Sequence, residues 1–228
     1  QVTFARSLWI ATHEVTQSEW QAVLGWNDSH VQGANRPVET VTWYDAVAYC
    51  NQLSARDGLA PSYTITGLTY SGVHITEATV TWNQAGDGYR LPTESEWEYA
   101  CRAGNSAAFC NGGITNLGCS GPDPTLDLVG WYCGNASSTT HDVTGKTANA
   151  WGLKDVHGNV LEWCWDWSAA YPAGPLVDPI GPASASYRVI RGGAWSYTAR
   201  SCRSACRDDY SPYNHPDILG LRVTRTGQ

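Results

Sequence analysis

Two rhythms of hydrophobic and polar positions run along this chain of 228 residues. Three segments share one opening, a threonine followed three positions later by an acidic residue: Thr16/Glu19, Thr42/Asp45 and Thr93/Glu96. Such a pair closes a helix N-terminus, because each side chain accepts a hydrogen bond from a backbone N–H that the helix leaves unpaired. The runs that follow reach Gly25, about Gly58 and Gly104, where a left-handed residue can stop a helix. Ala46, Cys50 and Leu53 in the second run, and Trp97, Ala100 and Cys101 in the third, recur at helical spacing and point two faces into a core. Short β-prone runs at residues 8–11, 79–82, 187–191 and 219–223 predict strands. Between these elements Gly, Pro, Asn, Asp and Ser punctuate the chain, so much of it is ordered loop that needs pins.

Composition changes the picture in three ways. Hydrophobic residues at 42% and twelve Trp supply a large buried area, while charged residues at 15% are sparse, so residues 1–228 read as one folded domain without repeat or linker. A net charge of −7 and lysine only at Lys146 and Lys154 leave no basic footprint for nucleic acid or an anionic membrane. No apolar run approaches the roughly twenty residues of a membrane helix. No leader precedes Gln1 and the chain holds no Met, so trimming at the N-terminus is expected. Eight Cys without any CxxC pair predict structural disulfides rather than zinc or redox chemistry, and hence an oxidising, extracytoplasmic or cell-surface setting. Cys110 and Cys119 flank a short loop that a bridge could close; Cys164 and Cys202 are buried thiols or a pair; Cys50 reads as a small buried hydrophobe.

Six blocks then carry a resemblance: Glu14-Val15-Thr16-Gln17; Pro37-Val38-Glu39 through Cys50-Asn51; Tyr89-Arg90-Leu91-Pro92-Thr93-Glu94 through Ala103-Gly104; Asn149-Ala150-Trp151-Gly152-Leu153 through Trp163; Arg191-Gly192-Gly193; and Leu219-Gly220-Leu221-Arg222. In this order, and spanning nearly the whole chain, they resemble the formylglycine-generating-enzyme (sulfatase-modifying-factor) family. The resemblance implies an α+β, C-type-lectin-like fold with small antiparallel sheets, two or three helices and much irregular loop. A leading strand usual in relatives is missing, which again implies trimming. Fold alone does not give an activity.

Asp155 and Glu162 bracket a Gly-Asn turn, so oxygens could converge as a hard cation wants. The resemblance implies calcium there, held by the side chains of Asp155 and Glu162 and the carbonyls of Gly158 and Val160. The competing reading pairs Glu162 with a buried arginine such as Arg191 and leaves Asp155 to cap a turn. In the family enzymes two Cys, five apart and just after the Gly-Gly turn, hold copper, since soft thiolates suit Cu(I). Here Tyr197 stands at about the place of the first and Cys202 near the second. The resemblance also implies a Cys101–Cys206 disulfide.

The six His are scattered without the spacing of an iron facet, and no catalytic triad or phosphate loop is present. What remains is the stretch from Trp195 to Asp217. Trp195, Ser196, Tyr197, Arg200, Arg203, Asp208, Asp209, Tyr210, Tyr213, Asn214 and His215 mix aromatic and small polar types as antibody loops do. A branch of the fold, the variable proteins of diversity-generating retroelements, concentrates its changes in this region. Ser196, Tyr197, Thr198, Asp208, Asp209, Tyr210, Tyr213, Asn214, His215 and Asp217 are types reachable from an Asn codon by adenine substitution. The sequence therefore predicts a non-catalytic, calcium-pinned domain that binds a protein or other surface ligand. A copper oxidase using Cys202 and perhaps Cys206, and a structural module of a larger surface protein, are the alternatives.

Overall fold

Helices stand where the threonine–acid pairs predict them. In the computed structural model, which describes residues 1–227, α1 (Gln17–Leu24), α2 (Trp43–Arg56) and α3 (Glu94–Arg102) each begin behind a complete capping box. A short α4 (Leu126–Val129) and a 3-10 turn (Ala199–Cys202) follow. Gly25 takes the left-handed stop of α1, at φ 81°. The other two stops differ from expectation: α2 caps on Asp57 and α3 on Ala103, at φ 45°, each one residue before its glycine.

The strands are β1 (Val2–Thr3), β2 (Leu8–Ile10), β3 (Tyr63–Ser71), β4 (His74–Trp82), β5 (Gly130–Trp131), β6 (His157–Gly158), β7 (Leu161–Trp167), β8 (Leu176–Val177), β9 (Arg188–Arg191), β10 (Arg207–Tyr210), β11 (Leu219–Gly220) and β12 (Thr224–Thr226). The main sheet has the order β10-β9-β7-β11, antiparallel except where β11 joins β7. The other sheets are pairs: the β3–β4 hairpin and β2–β12 are antiparallel, β1–β8 and β5–β6 parallel. The mixed architecture of small sheets and irregular loop matches the expected fold class, with the parallel pairs as the departure. The predicted strand at 79–82 is the end of a longer hairpin arm. That at 219–223 is strand only over Leu219–Gly220 (β11); residues 221–223, with Arg222 buried, precede β12. β7 was hidden in the sequence because both its faces are largely buried, so Leu-Glu-Trp-Cys-Trp-Asp-Trp shows no clean alternation.

Two apolar clusters form the core. One gathers Trp20, Trp43, Trp163 and Leu221 under α1 and α2; the other gathers Trp97, Phe109, Tyr132 and Val189 under α3. Glu162 and Arg222, both fully buried, lie between them. Arg222 donates through Nη2 to Glu162 Oε1 at 2.8 Å and through Nε to Oε2 at 3.0 Å. Its remaining donors reach the Ala11 and Lys154 carbonyls at 3.0 and 2.8 Å, and Trp97 Nε1 donates to Glu162 Oε2 at 2.6 Å. One ion pair thus ties the first strands, α3, β7 and the C-terminal segment. Glu162 does pair with a buried arginine, but the partner is Arg222 rather than Arg191.

One disulfide joins Cys119 and Cys133. The Cys101–Cys206 bridge does not form, and both thiols are free. Cys101 Sγ lies beneath α3 against the Val156 carbonyl, 3.7 Å, and the His157 ring, 3.8 Å, whereas Cys206 is half-buried just before β10. Cys110 does not close the loop with Cys119, and Cys50, Cys164 and Cys202 are buried thiols.

A buried pair broken on one side leaves the other charge unpaired, which costs about 3–5 kcal/mol. Arg222→Met is expected to lower unfolding free energy in urea by about that amount. A loss under about 1 kcal/mol would show that the pair does not carry the junction.

Candidate binding surface

The surface is built on the turn after β9. Gly192 and Gly193 adopt φ 100° and 79°, and a Cβ on Gly193 would stand 2.5 Å from Cys202 Sγ. Glycine is therefore required for the Ala199–Cys202 turn to pack against it. Arg191 anchors this end of β9 to α3: Nη2 binds Glu98, Nε lies 3.8 Å from Glu94, and Nη1 donates to the Cys206 carbonyl.

A second support is the loop closed by Cys119–Cys133. Arg200 N donates to the Leu117 carbonyl at 3.2 Å, and Cys133 N to the Tyr197 carbonyl at 3.0 Å. Asp123 organises this loop: Oδ2 accepts from Thr115 N, Thr115 Oγ1 and Asn116 N, and Oδ1 from Thr125 N and Leu126 N. Burial raises the carboxyl, but these donors outweigh it and hold the group at about 2.

On this frame the predicted residues fall into two groups. Ser196, Arg200 and Asp208 are exposed, with Trp195, Tyr197, Arg203 and Tyr210 half-buried. Alternation along β10 puts Asp208 and Tyr210 on one side. Tyr197 and Tyr210 pack against the same apolar cluster, and burial, then the nearby Asp208 charge, pushes the Tyr197 phenol up. Asp209 faces the other way, where Oδ2 accepts from Ser168 Oγ at 2.6 Å, so it leaves the group. Arg203 Nε is turned back onto the Arg200 carbonyl at 2.8 Å.

Tyr213, Asn214 and His215 form the second group, linked to the first where Trp195 Nε1 donates to the Asp217 carbonyl at 3.4 Å. Tyr213 is 56% exposed. His215 stacks on His74 with ring centroids 4.2 Å apart. His74 is held by Asp45 at 2.8 Å and Asp28 at 3.1 Å; the Asp45 hydrogen bond, against burial, raises its pKa. No local pattern marks His74, because the β3–β4 hairpin that brings it here is joined to this surface only through the fold.

The two side chains expected to hold calcium are already engaged within the protein. Both Glu162 oxygens accept from Arg222, and one from Trp97 as well. Asp155 Oδ2 accepts from Thr144 N at 2.6 Å, leaving one buried oxygen, Oδ1, without a partner. Nearby Glu14 accepts from Asn159 Nδ2 and Val160 N, and burial with the Asp155 and Glu162 charges pushes it well above the usual carboxylate range. No cluster of three or more His, Cys, Asp or Glu suited to a metal occurs among the described residues. A dication needs several free oxygens, and this junction offers a guanidinium instead. His157 faces inward rather than to solvent: Nδ1 donates to the Cys202 carbonyl at 2.8 Å, Nε2 accepts from Cys110 N at 3.0 Å, and burial lowers its pKa to about 4.

The copper chemistry meets a comparable obstacle. Cys202 is fully buried and burial pushes its thiol up, so the thiolate that a soft metal needs is disfavoured. Cys206 is free and half-buried.

The fold and the ordered sequence blocks together define a formylglycine-generating-enzyme-like scaffold. The sequence pattern of the sulfatase-modifying factor enzyme 1-like domain matches residues 1–227, and the chain belongs to that family. It is 34% identical to the chaperone protein LppX of Paenibacillus barcinonensis, over 96% of this chain and 80% of that protein. It is 34% identical to the formylglycine-generating enzyme of Streptomyces coelicolor, over 63% of this chain and 50% of the enzyme, so it matches about half that enzyme's length. Among solved structures it is similar to Treponema denticola variable protein 1, with TM-score 0.84 and 35% identity over 99% of this chain and 86% of that one.

The depressed Asp123 carboxyl gives the loop a signed pH dependence. Its contribution to stability is present above the unfolded value near 3.8 and is lost as pH falls toward about 2. The stability advantage of wild type over Asp123→Asn, measured by urea melts, is expected to shrink across that window. An advantage constant with pH would contradict the role given to the carboxylate.

Proposed function

We propose that this chain is a non-catalytic binding domain that recognises a protein or other surface ligand through the segment from Trp195 to Asp217, as a retroelement-diversified variable protein does. The carrying observation is the exposed Ser196, Arg200 and Asp208 with the half-buried Tyr197 and Tyr210 on a turn whose Cys202 is fully buried; the resemblance puts Tyr197 at about the place of the enzymes' first copper-binding Cys. Tyr and Trp give rigid contact area at low entropic cost, and Ser196, Asp208, Asn214 and His215 give adaptable hydrogen bonding. The likeness to Treponema denticola variable protein 1 over 99% of this chain supports the reading. The Cys119–Cys133 disulfide supports an extracytoplasmic setting, and among the described residues no helix is long and apolar enough to cross a membrane.

A copper oxidase is the second reading, because Cys202 and Cys206 are both unpaired. Titration with Cu(I), followed by incubation with a cysteine-containing peptide and oxygen, separates the two. Binding by Cys202 is expected to be absent, and mass spectrometry is expected to find no formylglycine. One equivalent of Cu(I) bound and lost in Cys202→Ala, with peptide oxidation, would overturn the binding-domain reading.

A further inference from the structure

On the opposite side of β10 from Tyr197, beyond Arg207, lies a cavity of about 720 Å³. Its size suits a small organic ligand, since such sites run to about 300–1,000 Å³. The walls come from the outer face of α3, the end of β7 and the 169–182 loop, with β1 and Phe4 closing one side. They are mainly apolar, with Phe4 packed on Tyr99 at 5.0 Å and Trp167, Tyr171 and Ile180 completing the lining.

The charged groups at one end are unevenly matched. Glu94 is satisfied by Arg207 at 3.0 Å and by the Tyr171 hydroxyl at 2.6 Å, and Glu98 by Arg102 at 2.7 Å and by Arg191. Asp166, only 4% exposed, has no salt bridge among the described residues. Its Oδ2 accepts from Glu94 N at 2.8 Å, and among the described residues no hydrogen bond from another residue reaches Oδ1, which lies on the wall near Gly181. Burial, with the charges of Glu94 and Glu96 on α3, pushes this carboxyl up to about 7. Arg188, on the neighbouring strand β9, is committed to the faces of Trp43 and Trp167, each 3.6 Å away. A buried carboxyl without a salt-bridged cation, near Arg188 but not paired with it, at the end of an apolar chamber, is complementary to a ligand that brings both an apolar body and a positive head.

We propose that this cavity binds a small organic amine, its aromatic or aliphatic body against Phe4, Trp167, Tyr171 and Ile180 and its ammonium on Asp166 Oδ1. The site is separate from the Tyr197 surface, so it stands or falls independently of the recognition reading.

Three probes that share a phenethyl body test it on the intact protein by calorimetry and saturation-transfer NMR: phenethylamine, 2-phenylethanol and 3-phenylpropanoate. Phenethylamine is expected to saturate with Kd on the order of 0.1–1 mM, as a ligand of its size allows, and to bind at least tenfold more tightly than the carboxylate. Asp166→Asn, whose amide oxygen can still accept from Glu94 N, is expected to erase the preference for the amine. Ile180→Trp, a substitution on the wall, is expected to abolish all three signals while leaving the fold intact. Equal binding of the three probes would overturn the proposal. So would amine affinity unchanged in Asp166→Asn, or, should that variant fail to fold, unchanged in Ile180→Trp. Absence of saturable binding up to about 10 mM would also overturn it.

Discussion

The buried pair of Glu162 and Arg222 is the constraint on which the rest depends. Two charges removed from water cost several kcal/mol each, and only their mutual attraction plus further hydrogen bonds offset that cost. Here Trp97 satisfies one Glu162 oxygen, and the Ala11 and Lys154 carbonyls take the free arginine donors. That requirement brings α3, β7, the first strands and the C-terminal segment to one point between the two apolar clusters. It also engages both Glu162 oxygens, so a dication at this carboxylate would have to share them with a guanidinium.

From that junction outward, rigidity is delivered to the surface in stages. Arg191 ties β9 to α3, the Gly192–Gly193 turn admits Cys202 beneath it, and the Cys119–Cys133 loop holds the segment from the other side. Each support acts on the backbone of residues 191–206, while the outward side chains at Ser196, Arg200 and Asp208 carry little of the packing. Conformational freedom is therefore removed from the frame and left in side-chain identity, a division that suits recognition. Within this segment Cys202 is fully buried and the Tyr197 ring half-buried.

Legibility in the sequence followed range. The three capping boxes were readable because Thr16, Thr42 and Thr93 meet partners three residues away, and the outcome depends on local geometry alone. Helix ends were less so: Ala103 accepts a left-handed backbone because tertiary packing holds it there, one residue before the glycine. The family was legible from ordered blocks of residues. Pairings across the chain were not. Glu162 takes Arg222 at a separation of 60 residues, and Asp209 turns away from the surface through β10 alternation. His74 arrives on a hairpin, and Cys119 finds Cys133, none of which any local pattern distinguishes.

The division into frame and face is tested most directly by a saturation scan of residues 191–222 read out by survival of native-state proteolysis. Substitutions at the exposed Ser196, Arg200, Asp208, Tyr213 and His215 are expected to leave survival near wild type, since surface changes cost within about 0.5 kcal/mol. Substitutions at Arg191, Gly193, Cys202 and Arg222 are expected to abolish it. Comparable losses in both sets would contradict the account, because a surface whose side chains hold the fold together is not free to vary for recognition.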